Sequence, residues 1–399
     1  MPTDGPKGLL SVVVGNTPGI RGELVAQLQR THPESLTLSV SVQESASGHH
    51  PVVQRMMTTA DGRPAATASL GATGDPAIIL RQDLVSLRRA RKSVHVILAL
   101  PEHLDPLPFL LNLWRSRVGA DNLEDHYDAA LVLAGVTAST LLADITCVHR
   151  AVRVWSGDGH SEPLTPAEIA ARQVEAADAV VLAGTPTEDG AHTQEAATLL
   201  RHLNPRAGMV TLDRVIARQP ASGRVLARAQ PHAPMRAQWE ARLNPTGSPY
   251  AAPDPGLNVS TVVWRARRPL HPERLADALG EVMLGVLRSR GHLWLASRPD
   301  AVVTWRSAGG HLELVEADRW LEAHASPAWE AASPQRRTLA CWFWDDRYGE
   351  RRNEIAFTGT GLDTGRITGA LDGALLDEAE VALGRERWNR WDDPLLGNA

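Results

Sequence analysis

The sequence predicts an α/β domain built on a mostly parallel sheet, followed by a smaller α+β domain. Three observations carry this. Short apolar runs at Leu9–Val14, Leu36–Val42, Val94–Leu98, Ala129–Leu133 and Ala179–Leu182 alternate with helical or loop segments, the pattern of strands buried on both faces. Prolines and glycines then punctuate a stretch from Gln219 to Leu257, which reads as a linker. Beyond it β-branched and aromatic segments dominate, and nine of the 12 Trp stand at or after Trp264. The boundaries fall at 8–218 for the first domain, 219–258 for the linker and 259–399 for the second.

The first strand stops at Gly15, a glycine-rich turn follows, and Glu23–Arg30 places Leu24 and Leu28 four apart, as on one helix face. This order opens many nucleotide-binding domains. Ser45–Gly74, rich in small and polar residues, reads as a loop or arm. Inside the linker Arg236–Arg242 can form one short helix. In the second domain Pro272–Arg290 carries Leu275, Leu279, Val282, Val286 and Leu287 on one helical face, with Pro272 in the first turn. Strands are expected at Thr261–Trp264, His292–Ala296, Val302–Trp305, Leu339–Trp344 and Glu354–Phe357.

The formal charge of −5 over 399 residues excludes a generally basic nucleic-acid coat. Two cysteines, Cys147 and Cys341, give neither a disulfide framework nor a Cys-x-x-Cys pair, and both are expected to be buried small apolar residues. No apolar run reaches 18 residues, so a cytoplasmic protein without a membrane partner is expected.

The second domain resembles the C-terminal domain of the CobW family of P-loop GTPases. The resemblance lies in RRPLHPERL (Arg267–Leu275), VLRSRGHLWLASRP (Val286–Pro299), TWRSAGG (Thr304–Gly310), RRNEIAFTGTGLD (Arg351–Asp363) and LDGALLDEAE (Leu371–Glu380). The first domain is similar in layout through LRQDLVSLRR (Leu80–Arg89), LDP (Leu104–Pro106), ARQVEAADAVVL (Ala171–Leu182) and HLNPRAGMV (His202–Val210). The resemblance implies a P-loop NTPase-like sheet, GTP with Mg²⁺, and zinc chemistry.

The sequence departs from that pattern at each polar site. A phosphate loop needs glycines for close approach, a Lys at the β/γ-phosphates and a Ser/Thr hydroxyl on Mg²⁺. Here Gly15-Asn16-Thr17-Pro18-Gly19-Ile20-Arg21-Gly22 stands in its place, so Gly15, Thr17, Gly19, Arg21 and Gly22 read as a vestigial phosphate loop. Arg21 keeps a charge with a different shape, Gly22 lacks the hydroxyl, and Pro18 lacks an N–H. Ala183-Gly184-Thr185-Pro186 replaces the family's Asn-Lys-x-Asp, and Asp75-Pro76-Ala77-Ile78 replaces its Cys-x-Cys-Cys. Ala99 stands where a carboxylate is expected, with Glu102 three residues on.

These losses predict no catalytic residue, no metal ligand set and no firm cofactor, GTP/Mg²⁺ being doubtful. Eroded sites on a kept scaffold resemble an actinobacterial branch of the family. That branch implies an adaptor that recruits a ribosome hibernation factor to the small ribosomal subunit under zinc limitation. The alternative is a GTP-dependent zinc metallochaperone with Arg21 at the phosphates and Thr17 near Mg²⁺. His49, His50, His95, His103 and His126 lack metal-ligand spacing and read as ordinary histidines. Arg88–Lys92 and Arg265–Arg268 read as a solvated helix end and strand exit, the alternative being a phosphate-backbone contact on ribosomal RNA. Trp294, Trp305, Trp342 and Trp344 read as sheet core, and Trp388 and Trp391 as either core or a protein-contact anchor.

Overall fold

The computed structural model describes residues 6–45, 50–64, 70–91, 94–117, 121–157, 159–184, 190–218, 235–243, 258–321 and 327–397. The chain divides into two compact units, Met1–Pro249 and Tyr250–Ala399.

The first unit runs β1 (Gly8–Gly15), α1 (Pro18–Thr31), β2 (Leu36–Gln43), β3 (Val52–Thr59), β4 (Leu70–Thr73), α2 (Pro76–Ala90), β5 (His95–Ala99) and α3 (Pro106–Leu113). It continues with β6 (Tyr127–Thr137), α4 (Ala138–Asp144), β7 (Val152–Trp155), β8 (Ser161–Leu164), α5 (Pro166–Ala176), β9 (Ala179–Ala183), α6 (Gly190–Leu203) and β10 (Gly208–Thr211). Eight strands form one sheet in the order β10-β9-β6-β1-β5-β2-β3-β4. From β10 to β2 every pairing is parallel, and β3 and β4 add antiparallel. The apolar runs are therefore the buried central strands: Val13, Ile97, Leu133 and Val181 share one core with Leu24 of α1. Gly135 lets α1 approach β6, since a Cβ there would lie 2.6 Å from Ile20 Cγ1.

Ser45–Gly74 is not one loop. β3 pairs with β2 from Leu36↔Thr59 to Gln43↔Val52, and β4 pairs with β3. Ladder pairing overrides the turn-like composition of this stretch. Residues 46–49 and 65–69 lie outside the described set. The linker stretch holds the helix Met235–Leu243, which packs on the first unit. Its Trp239 is buried edge-on against Trp114, and its Arg242 pairs with Asp178. The rest of that stretch, 219–234 and 244–257, is outside the described residues.

The second unit is a five-stranded antiparallel sheet in the order β11-β15-β12-β13-β14, with β11 (Val259–Ala266), β12 (Val286–Leu293), β13 (Ala301–Ala308), β14 (His311–Arg319) and β15 (Asn353–Thr360). Helices Pro272–Val282 and Thr364–Gly373 cover it, burying Leu275, Val282, Ile367 and Leu371 with Trp305 and Phe357. Three expectations need correction. The strand expected at His292–Ala296 runs instead from Val286 to Leu293. The helix stops at Val282, and Val286 and Leu287 fall in β12. Gly285, at φ 82° and so close to Thr360 that a Cβ would sit 2.5 Å from its carbonyl oxygen, turns the chain there. Leu339–Trp344 is no strand: Pro334–Trp342 is a helix. Ser333 caps it by accepting from the Arg336 N–H, and Pro334 fits its first turn.

One pH effect arises in this unit. His292 in β12 is 7% exposed, and burial, then Arg352 and Arg336, push its imidazole down to about 3. Unfolded, it titrates near 6.5. Below that pH the unfolded chain takes up a proton that the folded chain refuses, so stability falls as pH drops from about 6.5 toward 3. The slope from His292 is about half of 1.4 kcal/mol per pH unit near pH 6.5 and approaches about 1.4 kcal/mol per pH unit by pH 5. Urea unfolding at pH 7, 6 and 5 checks it: His292→Gln has a smaller slope than wild type by that amount, His95 still contributing its own, and an equal slope in both proteins refutes it.

Candidate functional site

β1 ends at Gly15 and α1 begins at Pro18, so Asn16 and Thr17 alone join strand to helix. Thr17 is the helix cap: its backbone is extended, its Oγ1 accepts from the Ile20 N–H at 3.3 Å, and its carbonyl accepts from the Arg21 N–H at 3.2 Å. Pro18 has no N–H. The helix start thus turns most of its donors inward, where a phosphate loop turns them toward an anion. Asn16 fixes the turn from the other side. Its Nδ2 donates to Thr140 Oγ1 at 2.7 Å and Asp144 Oδ2 at 3.2 Å, while its Oδ1 accepts from the Thr137 N–H.

Arg21 is equally engaged. One guanidinium nitrogen donates to the Gly15 carbonyl at 2.8 Å, and another meets Glu102 at 2.7 Å, with the side chain 14% exposed. Burial pushes the Glu102 carboxyl up, but its own backbone N–H and the Arg21 guanidinium outweigh this and hold it below the usual range. Glu102, expected only as a displaced carboxylate, is thus the counter-charge of Arg21. Gly19 and Gly22 border open space, so no protein atom requires a glycine at either position. The structure brings Gly15, Thr17 and Arg21 together, yet in a turn whose guanidinium is paired and whose Asn16, Ile20 and Arg21 N–H groups bond within the protein. Mg²⁺-GTP does not fit these residues: the hydroxyl is spent on a cap and the cation is paired.

The other motif positions have structural uses. Asp75 caps α2 by accepting from the Ala77 and Ile78 N–H groups, with Pro76 in the first turn. Ala183 closes β9; Thr185 and Pro186 lie outside the described residues. Asp105, from the LDP block, meets Arg172, from the ARQVEAAD block, at 2.7 Å, and Arg172 also meets Glu162 at 2.5 Å. Two blocks far apart in sequence are held by one buried guanidinium, a link with no sequence signal.

The remaining candidates separate. His126 is buried near Asp121, and His50 is exposed; His49 is outside the described residues. His95 is buried and stands against His32, which the sequence reading did not single out. Burial, then His32, push the His95 imidazole down to about 4. In the basic stretches, Arg88 is buried and donates to the Pro6 and Arg91 carbonyls, Arg89 pairs with Asp121, and Arg265 pairs with Glu354. Lys92 lies outside the described residues. Cys147 is half-buried, and Cys341 is exposed, against expectation.

Trp294 and Trp305 are core, but Trp342 is 76% and Trp344 38% exposed, because a helix end replaces the expected strand. Trp388 is buried edge-on against Trp294, and Trp391 stacks on His271.

Comparison with known proteins bears on the whole chain. Residues 259–375 match the cobalamin synthesis protein cobW C-terminal domain. The chain is 31% identical over 370 residues to the zinc chaperone Rv0106 of Mycobacterium tuberculosis, spanning 90% of this chain and 87% of that protein. The chain belongs to the CobW family. Zinc-regulated GTPase metalloprotein activator 1 of Dictyostelium discoideum is 31% identical over 144 residues, 34% of this chain and 29% of that protein. The Zn(II)-bound YjiA GTPase of E. coli aligns over 93% of this chain and 100% of its own, at 14% identity and a TM-score of 0.34. Among the described residues no helix is long and apolar enough to cross a membrane. In this CobW-family chain the turn between β1 and α1 is bonded to the chain itself through Thr17, Asn16 and Arg21.

Proposed function

We propose that this CobW-family protein is a zinc chaperone that carries zinc as cargo in the cytoplasm without an ordinary P-loop GTP cycle. The observation that carries the reading is the 31% identity, over nine tenths of the chain, to a protein named a zinc chaperone. The Arg21–Glu102 pair supports the second half, since a guanidinium held at 2.7 Å by a carboxylate is not available to a triphosphate. Titrating purified protein with zinc against a chromophoric chelator tests it: the expected result is at least one equivalent held against the chelator. No retained zinc overturns the chaperone reading.

The adaptor reading, with a ribosome hibernation factor and the small ribosomal subunit as partners, keeps one observation in its favour. Trp342, 76% exposed on the helix Pro334–Trp342, is a large apolar side chain offered to solvent. Sedimentation of tagged protein from zinc-starved cells decides it. Co-migration with small subunits supports the adaptor, and its absence there ends that reading.

A further inference from the structure

We propose that His32, Glu34 and His95 form a zinc site at the N-terminal ends of the parallel strands β2 and β5, the opposite end of the sheet from the β1–α1 turn. They are the one group of three His, Cys, Asp or Glu residues among the described residues whose donor atoms all lie within 4.8 Å of one another. His32 caps the C-terminus of α1, its N–H bonded to the Leu28 carbonyl, and a turn closed by the Ser35 N–H to the His32 carbonyl sets Glu34 beside it. His32 Nδ1 and Glu34 Oε1 are 3.6 Å apart. Two donors at about 2.0–2.1 Å from a tetrahedral zinc ion stand roughly 3.4 Å apart, so this pair needs little movement.

His95, the first residue of β5, supplies the independent sign of a ligand. It is 7% exposed, and its Nδ1 is buried without a hydrogen-bond partner. Such an orphan is costly unless something fills it. The other ring nitrogen, Nε2, lies 2.9 Å from Ser11 Oγ on β1. A proton on Nε2 donated to that hydroxyl leaves the Nδ1 lone pair unprotonated. This is the outer partner that metal-ligating histidines use to fix tautomer and ring orientation. The His32 and His95 rings stand edge-on at 4.5 Å between centroids, and one donor atom from each lies within 4.8 Å of the other and of a Glu34 oxygen.

Two imidazoles and one carboxylate suit zinc by donor type, and three protein ligands leave a fourth position open. The His32 and Glu34 side chains are 40% and 66% exposed, so the ion would have a solvent path on the side away from His95. An open, half-exposed site fits exchange of an ion better than permanent structural binding. The use of this site for cargo rests on the chaperone reading above; the site itself rests on its geometry. It also differs from the expectation of no metal ligands, because none of the three residues shows ligand spacing in sequence.

The test uses full-length protein and zinc alone. Zinc competition against a chromophoric chelator is run on wild type, on the exposed-residue variant H32A/E34Q, and on S11A. One equivalent in wild type, with affinity at least tenfold weaker in H32A/E34Q and about 10–100-fold weaker in S11A, supports the site. Cobalt(II) in place of zinc should show tetrahedral ligand-field bands without thiolate charge transfer. If wild type holds zinc and H32A/E34Q holds it equally, the site is wrong and the chaperone reading stands. If wild type holds none, both fall.

Discussion

Replacing Arg172 with leucine is expected to lower the unfolding free energy by about 3–5 kcal/mol. The guanidinium is 12% exposed and bridges Asp105, 6% exposed, with Glu162, 38% exposed. Burial works to lower the Arg172 pKa, but the two carboxylates outweigh it and raise it. Losing the cation takes the counter-charge from the buried Asp105 carboxylate, which is expensive in the interior, while the half-exposed Glu162 can turn to water. The urea midpoint should therefore fall sharply for Arg172→Leu and by less than about 1 kcal/mol for Glu162→Gln. The double change Arg172→Leu with Asp105→Leu should recover much of the loss, since a buried ion pair is often replaceable by apolar residues. A fall for Glu162→Gln as large as for Arg172→Leu would show that Asp105 is not the group at stake.

The central strands were legible because their side chains are buried on both faces, and β1, β5, β6 and β9 all lie on the apolar runs. β3 and β4 were not, because their residues half face solvent and the pairing that makes them strands is long-range. The end of the helix at Val282 was written in the sequence as Gly285, a left-handed residue past the helix, but the apolar period across Val286 and Leu287 masked it. Ser333-Pro334 was likewise a readable helix start ahead of an aromatic run that resembles a strand.

The candidate sites divide along the same line. That Arg21 offers a guanidinium rather than an ammonium and Gly22 no hydroxyl is a local fact that the sequence states outright. The partner of Arg21 is not local: Glu102 reaches it only because β1 and β5 pair in parallel, which brings the chain following β5 beside the start of α1. His32, Glu34 and His95 escape sequence reading for the same reason. The first two share a turn, while the third arrives on a strand more than sixty residues later.

Mg²⁺-GTP is expected to bind no tighter than about 100 μM, near −5.5 kcal/mol, and restoring the missing side chains should not repair this. In the double variant Arg21→Lys and Gly22→Thr the ammonium and hydroxyl return, and the space around Gly22 admits the threonine, because a Cβ there meets nothing within 4 Å. The backbone stays as it was. Thr17 still caps Ile20, Pro18 still lacks an N–H, and Asn16 still ties the turn to Thr137, Thr140 and Asp144. A phosphate cradle is made of main-chain donors before it is made of side chains, so the repair has to reopen the turn as well. Titration with a fluorescent GTP analogue distinguishes the two. Affinity unchanged in the double variant places the defect in the backbone of the turn. Low-micromolar binding on side-chain restoration alone would place it in Arg21 and Gly22, and the self-bonded turn would then be a closed state that nucleotide can open.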